Sequence, residues 1–221
     1  SVSLISEITK VADHMGIDLR PVSKALRHDK RIGPKSYIYP GLGFTGGNLE
    51  RDIKVIQGLL KKYGETSNFM DTIVSINDHH NKIVHRQLEK IFKTFKGLNV
   101  AFLGITYKSF TNTLTGSLTF SIATELLKKG CIIKAFDPLV SREESYLHNG
   151  IIIASDVDKC IEGCDALIIM IEKPEFKKLT VEHIKNLIGK KVIIDAANML
   201  NADEFIQEGF KYTGIGTGYS F

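Results

Sequence analysis

Apolar residues at Leu4, Ile5, Ile8, Val11, Ala12 and Met15 recur at three- and four-residue spacing and stop at Gly16, which predicts a helix running from the first residues. No capping residue precedes that stripe, so the chain is expected to begin inside the helix. Asp18 as N-cap, Pro21 in the first turn and Val22, Ala25 and Leu26 on one face predict a second, short helix. A loop rich in Gly, Pro and Tyr follows, from Lys30 to Gly47. Helical period returns with Ile53, Val55, Ile56, Leu59 and Leu60 and ends at Gly64. One long helix is then predicted through Ile73, Ile76, Ile83, Val84, Leu88 and Ile91.

At Lys96-Gly97 the pattern changes. Short apolar runs alternate with helical segments: Val100 to Leu103, Ile132 to Phe136, Ile151 to Ile153, Ala166 to Ile171, Val192 to Ile194 and Tyr212 to Ile215. Such alternation predicts a parallel sheet with helices on both faces. The fold class is therefore α/β, with a helical domain over residues 1–96 and a parallel-sheet domain over 97–221. No repeat or low-complexity tract interrupts either part.

Composition narrows the classes of function. With 43% hydrophobic residues the 221-residue chain can bury a sizeable core. Its net charge of +4 comes from 29 basic and 25 acidic residues spread along the chain, without the basic run that a nucleic-acid groove needs. No stretch approaches the roughly 20 apolar residues that span a bilayer, and Ser1-Val2-Ser3-Leu4 lacks the charged start of a signal peptide. Cys131, Cys160 and Cys164 make an odd count, which fits a reducing, cytoplasmic setting. The Cys160/Cys164 spacing has no matching second pair, so burial is expected rather than metal binding. His79, His80 and His85 also lack ligand spacing with a carboxylate. His80 falls on the apolar stripe between Ile76 and Ile83, and a core or interface histidine is expected there.

Gly41-Leu42-Gly43-Phe44-Thr45-Gly46 matches the dinucleotide fingerprint by letter. Three readings are open: a dinucleotide cradle, a structural turn, or a substrate loop. The first needs a buried strand before it, and Ser36 to Pro40 is short, amphipathic and ends in proline. The substrate loop is preferred, because glycines let backbone N–H groups approach a phosphate while Arg31, Lys35 and the tyrosines supply charge and stacking surface.

Asp29-Lys30-Arg31-Ile32-Gly33-Pro34-Lys35, then Pro40-Gly41-Leu42-Gly43-Phe44 and, after Gly46-Gly47, Asp52, resembles the active-site segment of UDP-glucose and GDP-mannose dehydrogenases. The resemblance extends to the end of the chain. Val74 to Asp78 is similar to the family's dimer helix, and Gly104-Ile105-Thr106-Tyr107-Lys108 to its Gly-Leu-Ala-Phe-Lys turn. Phe136-Asp137-Pro138, Asp165 to Ile169 and Asp195-Ala196-Ala197-Asn198 resemble its Tyr-Asp-Pro, Asp-Ala-Leu-Val-Ile and Asp-Gly-Arg-Asn signatures.

The resemblance implies a central helical dimerisation domain followed by a Rossmann-like nucleotide-sugar-binding domain. It implies a homodimer through the central helices, in which the Arg31 loop can reach the partner's site. It also implies NAD as cofactor, its main binding domain lying outside these residues. Arg31, Tyr37, Tyr39, Gly41, Gly43, Phe44 and Lys108 are the implied contacts to a nucleotide diphosphate sugar.

The sequence departs from the family at its chemistry. The family oxidises an alcohol to an acid in two hydride transfers, the second through a thioester on cysteine. Asn48 stands at the cysteine position, and an amide nitrogen has no usable lone pair. Asp52, four residues on, is the one catalytic-type group carried over. Thr115 and Ala197 stand where the family pattern places arginines, and losing a bidentate contact of that kind costs about 1.5–3 kcal/mol. Asn112, Thr113 and Gly116 replace acidic residues of that pattern. Asp137 ends the second strand, where a Rossmann domain binds ribose, yet the turn after the first strand lacks the glycine fingerprint, so no dinucleotide is expected there. Three functions remain open: a dehydrogenase with altered or single-step oxidation, a non-catalytic nucleotide-sugar binder, and a structural dimer.

Overall fold

The structure, a computed structural model, describes residues 1–45, 47–140 and 150–219. Gly46, the last glycine of the fingerprint-like motif, lies outside the described residues. Five helices come first: α1 Val2–Met15, α2 Arg20–His28, α3 Gly47–Lys62, α4 Asn68–Asn81 and α5 Ile83–Ile91. The remainder runs β1 Asn99–Leu103, α6 Leu118–Lys128, β2 Ile132–Phe136, β3 Ile151–Ile153, α7 Val157–Ile161, β4 Ala166–Ile169, α8 Val181–Leu187, β5 Val192–Asp195, α9 Ala202–Gln207 and β6 Lys211–Gly214.

Two details of the helical half differ from the sequence pattern. Leu19, not Asp18, is the N-cap of α2. Leu19 is drawn into the core at 4% exposure and its N–H bonds the Gly216 carbonyl at 2.9 Å. Asp18 serves the turn from one residue further out, accepting the Arg20 N–H at 2.8 Å and pairing with its guanidinium. The single long helix is two, because the chain tightens at Lys82 (φ −82°, ψ 4°), whose N–H reaches back to the His79 carbonyl. Arg86 Nη1 donates to that same carbonyl at 2.5 Å, so the bend leaves it satisfied.

The six strands are parallel in the order β3-β2-β1-β4-β5-β6, as expected from six apolar runs separated by helices. Side chains alternate across each strand, so two cores form. Val100, Phe102, Ile133, Ile168 and Ile194 pack on one face with Val84 and Leu88 of α5 and Leu126 of α6. Ala101, Leu103, Leu167, Ile169 and Ile193 pack on the other with Ile161, Phe176, Ile184 and Phe205. The three cysteines are free and buried, and burial pushes the Cys131 and Cys164 thiols up to about 11.

The helical half buries less. Ile5, Ala12, Leu19 and Ile38 form a small cluster. Leu4, Val11 and Met15, on the other side of α1, remain 59%, 60% and 66% exposed.

Candidate functional site

The glycine loop is an irregular segment hung on α4. Asn77, His80 and Asn81 stand at i, i+3 and i+4 on that helix, and so face the same way. Asn77 Oδ1 accepts the Phe44 N–H at 2.9 Å, and its Nδ2 donates to the Phe44 carbonyl at 3.0 Å. Asn81 Oδ1 accepts the Gly43 N–H at 3.1 Å. His80 Nε2 lies 2.6 Å from the Gly41 carbonyl. A carbonyl only accepts, so this nitrogen carries the proton. Burial holds the imidazole below its ordinary titration range and keeps it neutral.

This arrangement corrects one expectation. The Gly43 and Phe44 amides are taken up by α4 and are not offered to a phosphate. Glycine is needed at 43 for another reason: a Cβ there would run into the side-chain oxygens of Asn77 and Asn81. Among the described residues no strand precedes the loop, which removes the context that a dinucleotide cradle requires.

Opposite the loop stands the turn after β1. Gly104 takes φ +86° and packs so closely that a Cβ would fall 2.8 Å from Ile171 Cβ. Asp137, at the end of β2, gathers the turn: its Oδ2 accepts the Ile105 and Thr106 N–H groups at 3.0 and 3.2 Å. Tyr107 then donates its hydroxyl to the Thr45 carbonyl at 3.1 Å, joining turn to loop.

Between them lies a cavity of about 290 Å³. Leu42, Gly43 and Thr45 form one wall, and Thr106 through Ser109, including Lys108, the other. Leu118 and Thr119 at the start of α6, Met170 to Glu172 beyond β4, and Ala196 and Ala197 beyond β5 complete it. The cavity therefore sits outside the carboxyl ends of β1, β4 and β5, beside the point where the strand order reverses. Open α/β sheets bind ligands in that place.

The Asp195/Asn198 signature supports this wall from behind. Buried Asp195 accepts the Met199 and Leu200 N–H groups at 2.7 and 2.8 Å and the Tyr212 hydroxyl at 2.8 Å, and burial raises its carboxyl. Asn198, in the left-handed region at φ 53°, exchanges two hydrogen bonds with the backbone of Ile215. Both residues thus shape the turn that carries Ala197.

Of the residues singled out in the sequence, the fold brings Gly43 and Lys108 to the cavity. Gly41 and Phe44 are tied to α4 beside it. Arg31 projects into solvent, 89% exposed, and pairs with Asp29 at 2.5 Å. Tyr37 and Tyr39 are 77% and 56% exposed, with the Arg27 guanidinium 4.0 Å above the Tyr39 ring. Asn48 and Asp52 lie on the first turns of α3, both exposed, and Asp52 pairs with Arg51 at 3.0 Å. None of these five lines the cavity.

Sequence reasoning missed Asn77, Asn81 and Lys173. The two asparagines carried a signal, since polar residues four apart beside an apolar stripe mark a helix face that binds backbone. Lys173 is buried beside Asp137, with Nζ 2.9 Å from Oδ1. Nothing local in the sequence announced it.

Residues 1–79 match the UDP-glucose/GDP-mannose dehydrogenase family, central domain, and residues 101–202 match that family's UDP binding domain. A UDP-glucose 6-dehydrogenase of Rickettsia bellii is 30% identical over 219 residues, covering 98% of this chain and 50% of that protein. UDP-glucose 6-dehydrogenase TuaD of Bacillus subtilis is 27% identical, covering 97% and 47%. A UDP-glucose dehydrogenase from Pyrobaculum islandicum superposes with a TM-score of 0.82 at 22% identity, covering 99% of this chain and 48% of that one, which shows the fold. The chain spans about half the length of the curated relatives it matches. On these matches, which take in both halves of the chain, it belongs to the UDP-glucose/GDP-mannose dehydrogenase family.

Proposed function

We propose that this chain is the nucleotide-sugar-holding part of an NAD-dependent nucleotide-sugar dehydrogenase whose second oxidation is altered or lost. The observation that carries the reading is the cavity at the carboxyl ends of β1, β4 and β5, with Lys108 among the residues that line it. Residues 1–96 act as the central dimerisation domain and 97–221 as the nucleotide-sugar domain. The diphosphate lies against Lys108, whose charge needs no backbone help from the loop.

Arg31, Tyr37 and Tyr39 stand too exposed to serve the cavity of their own chain. They suit a site completed across a homodimer, in which the exposed Leu4, Val11 and Met15 face of α1 is covered. No helix among the described residues is long and apolar enough to cross a membrane, and a cytoplasmic setting fits the buried free thiols.

The residues present do not fit NAD. Asp137, which would take ribose in a sheet of this order, already holds Lys173 and three backbone amides. At Asn48 no thiohemiacetal forms, so an aldehyde produced at this site would not be carried to the acid by the family's covalent route. A second reading, nucleotide-sugar binding without oxidation, is favoured by Asn48 and by Ala197, which leaves a methyl group on the cavity wall.

Calorimetric titration of the chain with UDP-glucose, UDP-glucuronate and GDP-mannose tests the common core of both readings. Saturable binding weakened about 10- to 100-fold by Lys108→Ala supports it, the loss expected for one charge-assisted contact. A folded chain that binds none of the three would overturn it. Turnover of a bound nucleotide sugar with NAD, assayed on the full-length protein, separates the dehydrogenase from the binder.

A further inference from the structure

Lys173 follows β4 by four residues, and its side chain is 2% exposed. An ammonium so deep in the protein persists only when paired and hydrogen-bonded. Here Nζ stands 2.9 Å from Asp137 Oδ1 and donates to Thr106 Oγ1 at 3.1 Å. Asp137 is itself saturated: Oδ1 also accepts the Leu139 N–H at 3.0 Å, and Oδ2 takes the Ile105 and Thr106 amides and lies 3.0 Å from the Thr106 hydroxyl.

The Thr106 hydroxyl is the hinge of the network. It has one proton to give and stands within reach of Asp137 Oδ2 and of the Lys108 carbonyl, 3.1 Å away. Because Lys173 fills its acceptor side, that proton is directed to one of these two. Lys173 Nζ, the Thr106 hydroxyl and the Lys108 carbonyl thus stand in one run of contacts, 3.1 Å at each step.

We propose that Lys173 is a positioning residue for the nucleotide-sugar cavity. Through Asp137 and Thr106 it fixes the 104–108 turn that aims Lys108 at the diphosphate. It occupies, with a built-in cation, the seat that a dinucleotide's ribose would otherwise take. The inference rests on the reading above that Lys108 meets a nucleotide diphosphate. It adds that the crevice is specific for the shorter ligand because one end of it is already filled.

The test is calorimetric titration of the chain with UDP in four forms: wild type, Lys173→Met, Lys108→Ala and the double variant. Lys173→Met is expected to weaken UDP at least about tenfold when Lys108 is present and to change nothing in the Lys108→Ala background, the non-additivity of residues acting through one another. A purely structural role predicts equal losses in both backgrounds, and that result overturns the proposal. So does wild-type affinity in a folded Lys173→Met chain.

If removing the lysine alone unfolds the protein by leaving Asp137 unpaired, the neutral pair Asp137→Asn/Lys173→Met replaces it, with the same two outcomes. A wild-type chain that binds no UDP overturns the nucleotide-sugar reading and this inference with it, whereas binding with additive losses overturns this inference alone.

Discussion

His80 Nε2 donates to the carbonyl of Gly41 at 2.6 Å, across 39 positions of sequence. This bond sets the start of the glycine loop, and removing it leaves a half-buried carbonyl without its donor. His80→Ala is expected to cost about 1–3 kcal/mol, measured by denaturant unfolding at pH 7.5.

The same histidine gives a pH signature. Burial holds its folded-state titration below the ordinary value of 6.5, so the unfolded chain takes up a proton first as pH falls. Its contribution is complete above 6.5 and is lost as pH falls from there toward the folded-state value. The stability difference between wild type and His80→Gln, which keeps a donor to Gly41, should therefore shrink or reverse in that window. A difference constant from pH 7.5 to 5 would refute it.

Asp13 works the other way. Burial raises its carboxyl from 3.8 to about 6, although the Gly216 N–H lies 2.9 Å from it. The folded chain binds the proton more readily, so the penalty is absent below 3.8 and grows as pH rises through 6. Asp13→Asn is expected to stabilise the chain at pH 7.5 by about 1–2 kcal/mol, after discounting for partial solvent screening. The gain should vanish near pH 4, as read by thermal unfolding at the two pH values.

Gly104→Ala combines an unfavourable backbone region with contact against Ile171. A loss of about 2–4 kcal/mol is expected, with UDP affinity falling as well because the turn carries Lys108. Gly58→Ala, inside α3, where nothing lies within 4 Å of an added Cβ, serves as the tolerant control for both measurements.

Thiol chemistry tests the placement of Asn48. In the native wild type, Cys131, Cys160 and Cys164 should resist a disulfide reagent and then titrate together on unfolding, since all three are buried. Asn48→Cys should add one thiol that reacts at once, exposed on the first turn of a 16-residue helix whose N-terminus favours the thiolate. A native Asn48→Cys protein with no reactive thiol would contradict the exposed first turn of α3.

Much of the fold was legible because strand runs are local. Ile132 to Phe136 and Ile151 to Ile153 coincide with β2 and β3, and the other four strands differ from the apolar runs by one or two residues at an end. The bend at Lys82 was not legible, because apolar period continues straight across it and the carbonyl that it frees is taken up by Arg86, seven residues on. The site was legible as a set of letters but not as a set of directions. The loop's glycines suggested open amides, yet their partners on α4 lie 33 to 39 residues away. Lys173 faces Asp137 only once β2 and β4 flank β1 in the sheet, a fact of topology and not of spacing.

The bend between α4 and α5 has a mechanical consequence. One wall of the cavity hangs from α4 through Asn77, His80 and Asn81, while α5 is bedded on the sheet through Val84 and Leu88, and the opposite wall grows from that same sheet. The two walls thus belong to different supports, a helix and a sheet, and the chain passes from one support to the other at Lys82, a residue that lines neither wall.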